Sequence, residues 1–447
     1  MGDNRRGYLF FLLLFLWIGS TTAPILAQPL WEKSFEIQAE AEVLLTVTAA
    51  SPRASWVVEG REAAAIRLYV DGRYHQDLLL HGGEADFAYQ LLLGRQQPGQ
   101  HTLRLEHHLP LSARGTERPT VRDVQFELRT RNDPDFLPLA YAPILYARPD
   151  TIGRFSDLPL LIYYETEAGE QGGTIYRYTA IFSNEDGGTQ TSGLMARWGR
   201  TTDIEWVNEV HLDRQGRLIR HLYQGVNHET KPVIGEREGD HPLFLVASVN
   251  NNFDDQRKSD VRFALRPIPV DLTRSSRETV MDAHPWIYRI MAEEMIREAK
   301  ITPERTLGQS IRDLRDYLYL DGQSAQQNGS AISFAVKLTG DPRWFVSDLG
   351  IPSYKIERSG HFRTTMLLPP GTRPEQVERL AIRCDLPTNP RGASDIVRAT
   401  TARCEVGAIQ RLFFLDASFQ PGAEVAVRFS PLQLAFGEVI EIPVGVR

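Results

Sequence analysis

Cysteine is the scarcest chemistry in this chain, with two residues, Cys384 and Cys404, among 447. There is no Cys-x-x-Cys spacing, which argues against a cysteine-based metal site or a catalytic thiol. In an oxidising compartment an isolated pair most simply forms one disulfide, and closing a loop of about twenty residues stabilises by roughly 3 kcal/mol. Positive charge is also in deficit: 50 Lys and Arg stand against 57 Asp and Glu, a formal net charge of −7. A general nucleic-acid binder would carry a basic stripe, so nucleic acid is not an expected partner. Beyond the N-terminal segment no apolar run is long enough to span a bilayer. The chain also lacks a His-Glu-x-x-His zinc helix, a Gly-x-Ser-x-Gly elbow, a Walker loop and a Rossmann glycine fingerprint, and no organic cofactor is indicated. Carboxylates gathered from different strands leave no short signature, so their use in hydrolysis stays open.

What is present begins with a leader. Arg5 and Arg6 precede an apolar run over 8–18 that is too short to span a membrane comfortably, and Ile25-Leu26-Ala27 offers a small-residue cleavage site. This predicts a signal peptide over residues 1–27 and a secreted or periplasmic protein that starts at Gln28.

The rest reads as mainly β: multidomain β-sandwiches with a short α-helical hairpin inserted after the central domain. Short alternating strands over 28–131, with Asp71-Gly72 as a hairpin turn, predict an N-terminal sandwich. Asn132-Asp133-Pro134-Asp135 is a linker by its turn chemistry. A central sandwich is expected over 141–275, where continuous apolar runs at 160–164 and 244–249 suit strands buried on both faces. Ile287, Ile290, Met291 and Met295, then Leu307, Ile311, Leu314 and Leu318, follow helical spacing and predict the hairpin over 276–325. β-patterning returns over 330–447, where the disulfide would brace a C-terminal domain.

Chemistry concentrates in the centre. Tyr176, Tyr178, Ala180 and Phe182 alternate with Arg177, Thr179 and Ile181, and this strand ends at the turn Asn184-Glu185-Asp186-Gly187-Gly188. A second strand over 202–212 would place Ile204, Trp206, Val210 and Leu212 on one face, with Asn208 as its polar member. Asp203, Glu205, Val207, Glu209, His211 and Asp213 would line the other. Neighbours on that face lie roughly 6.5 Å apart, so Asp203 and Glu205 could converge on one hard cation such as Ca²⁺ or Mg²⁺. Glu185, Asp186, Asp254 and Asp255 are further candidate ligands, the last two beside the oxygen-rich run Asn250-Asn251-Asn252. A plain solvated polar face is the ordinary alternative for such a strand. For catalysis, Glu205 would serve as general acid or base and His211 or His228 would shuttle protons.

Two stretches resemble known families. Trp198-Gly199-Arg200-Thr201-Thr202-Asp203-Ile204-Glu205-Trp206-Val207, with the 237–250 segment after it, resembles the vacuolar-protein-sorting-type sandwich domain and, more distantly, the necrosis-inducing secreted proteins. Ile204 stands where that pattern has Trp. The resemblance implies a β-sandwich and, in the necrosis-inducing branch, a divalent cation used in glycolipid recognition, with Asp203 and Glu205 as the residues that carry over. Gly99-Gln100-His101-Thr102-Leu103 is similar to the ending of accessory carbohydrate-binding modules. The resulting expectation is a binding protein for a glycan, glycolipid or envelope component. The alternatives are an extracytoplasmic hydrolase of polysaccharide or phosphoester, and a non-catalytic envelope scaffold.

Overall fold

The computed structural model describes residues 28–185, 187–303, 307–388 and 398–445, so the expected leader and Asp186 lie outside the described residues. The protein is mainly β, with few helices.

At the N-terminus, period-two patterning produces two facing antiparallel sheets. Trp31–Ile37, Gly99–His107, Ala65–Val70 and Arg73–Leu79 pair in that order, as do Phe87–Gln96, Ala41–Ala50 and Thr120–Arg129. Ile66, Leu68, Leu103 and Leu105 of the first sheet meet Val43, Leu45 and Val47 of the second in one core. At the hairpin between Ala65–Val70 and Arg73–Leu79, Asp71 and Gly72 both hold positive φ, 51° and 76°, which suits the right-handed twist of the flanking strands.

The central sheet has eleven strands. Its heart is an antiparallel meander of Pro159–Ala168, Thr174–Phe182, Ile204–Leu212 and Leu218–Gly225. The apolar run in the first of these is buried on both faces: Leu161 and Tyr163 join one core, Ile162 and Tyr164 the other. His241–Val246 is buried throughout.

The Trp286–Arg297 helix sits where three β bodies meet. Ile287, Ile290, Met291 and Met295 are buried as their spacing predicts. Their cluster also takes in Trp56 and Leu111 from the N-terminal sandwich, Ile181 and Ile204 from the central sheet, and Tyr317, Tyr319 and Phe413 from the C-terminal body.

Among the described residues the second helix of the expected hairpin does not form. Ile301 instead bridges Ile311, a single 3₁₀ turn spans Leu314–Asp316, and the strand Tyr317–Gln327 begins at once. Ile311 and Leu314 are drawn into the core around the buried helix while Leu318 enters the C-terminal core, and Leu307 stays exposed. Tertiary burial of residues that also suit a strand has overridden their helical spacing.

The C-terminal body stacks two sheets. One is built on Gly360–Leu367, Tyr317–Gln327 and Arg403–Leu415, the other on Ala331–Leu338, Val377–Asp385 and Val439–Pro443. Cys384 and Cys404 are disulfide-bonded with Cα atoms 5.6 Å apart, which ties one sheet to the other inside their shared core. Among the described residues no helix is long and apolar enough to cross a membrane.

Because Met291 is fully buried at the three-body junction, Met291→Ala is expected to cost about 2–5 kcal/mol. Guanidinium unfolding followed by near-ultraviolet circular dichroism checks this, and a loss under about 1 kcal/mol would show that the junction is loosely packed.

Candidate functional site

The Ile204–Leu212 strand is irregular at its middle, and that decides which side chains meet. Tyr178 pairs with Asn208 but Thr179 pairs with Trp206, leaving Val207 as an extra residue in a β-bulge. Val207 therefore joins the same core as Val210 and Leu212, whereas Ile204 joins the opposite one. The single acidic face expected from strict alternation is thus split. Asp203 and Glu205 alternate with Ile204, and Glu209 and His211 fall on the other side of the sheet. There Glu209 accepts from Arg177 at 2.7 Å and pairs with His211.

Four chain segments converge on Asp203 and Glu205. The turn after Thr174–Phe182 brings Glu185. The end of Leu218–Gly225 brings Gln224, and the 3₁₀ turn Val226–His228 follows with His228. The loop after His241–Val246 brings Asn250, Asn251 and Asn252. Gly187 and Gly188 lie so close to Val249 and Asn250 that a Cβ at either would clash, so the two loops pack directly on each other. Asn227, His228 and Asn251 all hold left-handed φ, 62°, 60° and 47°, a conformation uncommon outside glycine and sustained here by the contacts around them.

Those contacts form a connected polar network. Asn251 donates through Nδ2 to Asp203 Oδ2 at 3.0 Å, while Asp203 Oδ1 is buried without a hydrogen-bond partner. Glu185 Oε1 accepts from the Thr189 backbone N–H at 3.0 Å. Glu205 Oε2 accepts from the Gln224 amide, which also lies 2.8 Å from His228 Nδ1. His228 Nε2 is 2.9 Å from the Asn250 amide. Asp203, Glu205 and Glu185 are buried, whereas the His228 side chain is 55% exposed and marks the mouth of the site.

Packing three carboxyl groups together out of water raises their affinity for protons. Burial, then the neighbouring Glu205, pushes Asp203 up to about 7. Burial, then Asp203, pushes Glu185 up to about 7. Burial also raises Glu205. Arg200 and Arg277 oppose all three shifts. The cluster can therefore hold protons at neutral pH, which ordinary carboxylates do not.

Of the residues singled out from sequence, Asp203, Glu205, Glu185 and His228 come together, and His211 does not. Asp254 turns away to bond the Gln256 N–H and Arg257, and Asp255 caps the Ile234 and Gly235 N–H groups at 2.7 Å each. Asp186 lies outside the described residues. Gln224, Arg200, Arg277 and Glu278 carry no sequence signal for a role here: Arg277 and Glu278 sit about seventy residues downstream, and the fold alone brings them to the strand.

The donor set suits protons and guanidinium groups better than a divalent cation. Arg200 Nη1 stands 3.9 Å from Asp203 Oδ1, and Asn251 and Gln224 turn N–H groups toward the carboxylates. Among the described residues no group of three or more His, Cys, Asp or Glu is arranged to hold a metal ion.

Two outcomes follow. The folded pKa values of Glu185 and Asp203 lie above their unfolded values, so the native state binds extra protons between about pH 4 and 7. The cluster's contribution to stability is then greatest at the acidic end of that window and declines as pH rises through it. Asp203→Asn should flatten the dependence of urea stability on pH between about 5 and 8. Part of the slope should remain, because Glu294, buried in the junction helix, is also pushed up to about 7. An unaltered slope would contradict the assignment. Separately, EDTA or millimolar Ca²⁺ or Mg²⁺ should leave the melting temperature unchanged. A metal-dependent rise, abolished by Asp203→Ala with Glu205→Ala, would show that a cation binds, since a ligand at about a hundred times its dissociation constant adds roughly 2.7 kcal/mol.

No protein-family model matches the chain, so the resemblance of residues 198–250 to the vacuolar-protein-sorting-type domain finds no family support. No curated protein matches it either. Among solved structures, the sugar-binding C-terminal domain of EclA is similar at 18% identity over 22% of this chain and 66% of that one, with a TM-score of 0.18. A GH2 β-galacturonidase from Eisenbergiella tayi is similar at 14% identity over 36% of this chain and 22% of that one, TM-score 0.15. The Pleurotus ostreatus lectin is similar at 10% identity over 87% and 78%, TM-score 0.11. The chain thus spans just under two thirds of the first neighbour and about a fifth of the second. TM-scores this low leave the function to be argued from the geometry of the site.

Proposed function

We propose that the chain is a secreted or periplasmic binding protein for a glycan or a glycan-bearing envelope component. The ligand's hydroxyls would be held at the mouth formed by His228 and Asn250, with Glu205 just inside it and Gln224, Asp203 and Glu185 buried behind. The observation that carries this reading is the continuous row from the Glu205 carboxylate through the Gln224 amide to the His228 ring and the Asn250 amide, partly open at His228. A saccharide hydroxyl both donates and accepts, so fixed carboxylate, amide and imidazole groups side by side match adjacent hydroxyls at little ordering cost. Asn227, His228 and Asn251 keep left-handed backbone here, a conformation that persists only where the surrounding contacts fix it. No metal is part of this reading.

One observation favours hydrolysis as a second reading. Glu185 and Asp203 retain protons near neutrality beside Glu205, and a protonated acid next to a second carboxyl is what a glycosidase needs. Calorimetric titration with neutral and acidic oligosaccharides, run beside an assay for released reducing ends, separates the two. Binding predicts heat without product, and a loss of at least about tenfold in affinity in both Glu205→Gln and His228→Ala, about 1.4 kcal/mol. Released product abolished by Glu205→Gln would establish the hydrolase. Neither heat nor product with any oligosaccharide would reject both.

A further inference from the structure

Arg277, like Arg200, acts on all three carboxyl groups of the site and opposes the upward shift of Glu185, Asp203 and Glu205 alike. Behind it lies a dense gathering of positive charge. The guanidinium carbons of Arg197, Arg358 and Arg200 stand 4.4, 5.3 and 5.8 Å from the centre of the Trp198 ring, within reach of cation–π attraction. Arg358 also donates through Nη2 to the Arg197 carbonyl at 3.0 Å.

These cations are short of counter-charge. Arg200 Nε and Arg277 Nε approach the same oxygen, Glu278 Oε1, at 3.5 and 3.8 Å. That oxygen and Arg200 Nε are both buried without a hydrogen-bond partner. Three guanidinium groups, those of Arg200, Arg277 and Arg358, therefore act on one carboxylate, Glu278, and hold it below its ordinary pKa against the effect of burial. Burial and the crowding of Arg277, Arg200 and Arg197 correspondingly bring Arg358 down to about 10, against the pull of Glu278.

Arg277 joins the buried Arg200–Glu278 charge to solvent. Its side chain is 36% exposed, whereas those of Arg200 and Glu278 are 2% exposed. Among the described residues its guanidinium makes no hydrogen bond, so its planar fork of N–H donors is open to an anion. Arg277 is linked to Asp203 through Glu278 and Arg200 and is the cation that acts most strongly on Glu205, so one ligand can present hydroxyls at the His228 mouth and an anionic group to Arg277.

We infer that the ligand is an acidic saccharide, and that a carboxylate or sulfate on it is received by Arg277, with Arg358 behind it. The inference rests on the glycan reading above and specifies its chemical class.

The test compares the same saccharide with and without charge on the wild-type protein: an oligogalacturonate against its methyl ester, and a sulfated oligosaccharide against its desulfated form, by calorimetric titration. At least one acidic member is expected to bind about tenfold or more tightly than its uncharged partner. In Arg277→Ala, shown by its melting curve to be folded, the two should fall within about twofold of each other, while Glu205→Gln weakens both. Equal affinity of both members of each pair for the wild-type protein overturns the inference and leaves the glycan reading standing. Failure of every oligosaccharide, charged or neutral, removes both. Inorganic sulfate binding as tightly as the acidic saccharide would make this a site for a small anion and would also overturn the inference. The wild-type comparison decides the question even if Arg277→Ala fails to fold.

Discussion

The structure depends on burying one helix among three β bodies. Trp286–Arg297 places its apolar side chains in a single core shared by the N-terminal sandwich, the central sheet and the C-terminal sandwich, and a core shared this way resists rotation of one body against another. Polar groups set the register. Trp56 donates its indole N–H to Glu294 at 3.1 Å, and Arg297 reaches the carbonyls of Trp56 and Phe155. On the other side Tyr288 and Asp282 meet the fully buried Arg363, which also pairs with Asp321 at 2.6 Å. A buried charge pair adds little net stability over apolar packing, yet losing one partner strands the other, so such pairs act mainly to exclude other packings.

The candidate site depends on this arrangement. Arg277 and Glu278 lie just before the short helix Thr279–Ala283, which leads into the junction helix, so docking that helix carries both residues against the central strand. Met281 and Met291, from the same docked segment, contact Thr202 and Thr201 beside Asp203. The three carboxyl groups, which would repel one another if ionised in isolation, thus gain the Arg277 guanidinium from a distant part of the chain beside the local Arg200. The site's electrostatics are a product of tertiary assembly.

This explains how much was legible in the sequence. The β-rich class, the strand through Tyr176–Phe182, the buried run at 160–164, the helix carrying Ile287, Ile290, Met291 and Met295 and the Cys384–Cys404 bridge all follow from periodicity, propensity or arithmetic, which are local quantities. Of the run at 244–249 only residues 244–246 are buried strand, and Val249 is exposed in the loop beyond. Asp203, Glu205, Glu185 and His228 stood out because carboxylates and histidine near strands and turns are chemically conspicuous. The bulge at Val207 was invisible, since one inserted residue changes which side chains share a face without altering the pattern of residue types. The second helix of the hairpin expected over 276–325 fails for the opposite reason: Ile311, Leu314 and Leu318 have helical spacing but satisfy two different cores. Arg277 and Arg358 had no local signal, and only the fold gives them a role.

The measurement that bears most directly on this account is a crystal structure of the protein grown with an acidic oligosaccharide. The account predicts sugar hydroxyls against Glu205, His228 and Asn250, with the anionic group on Arg277. Sugar seated on the N-terminal sandwich, with the Glu205–Arg277 site holding only solvent, would contradict it.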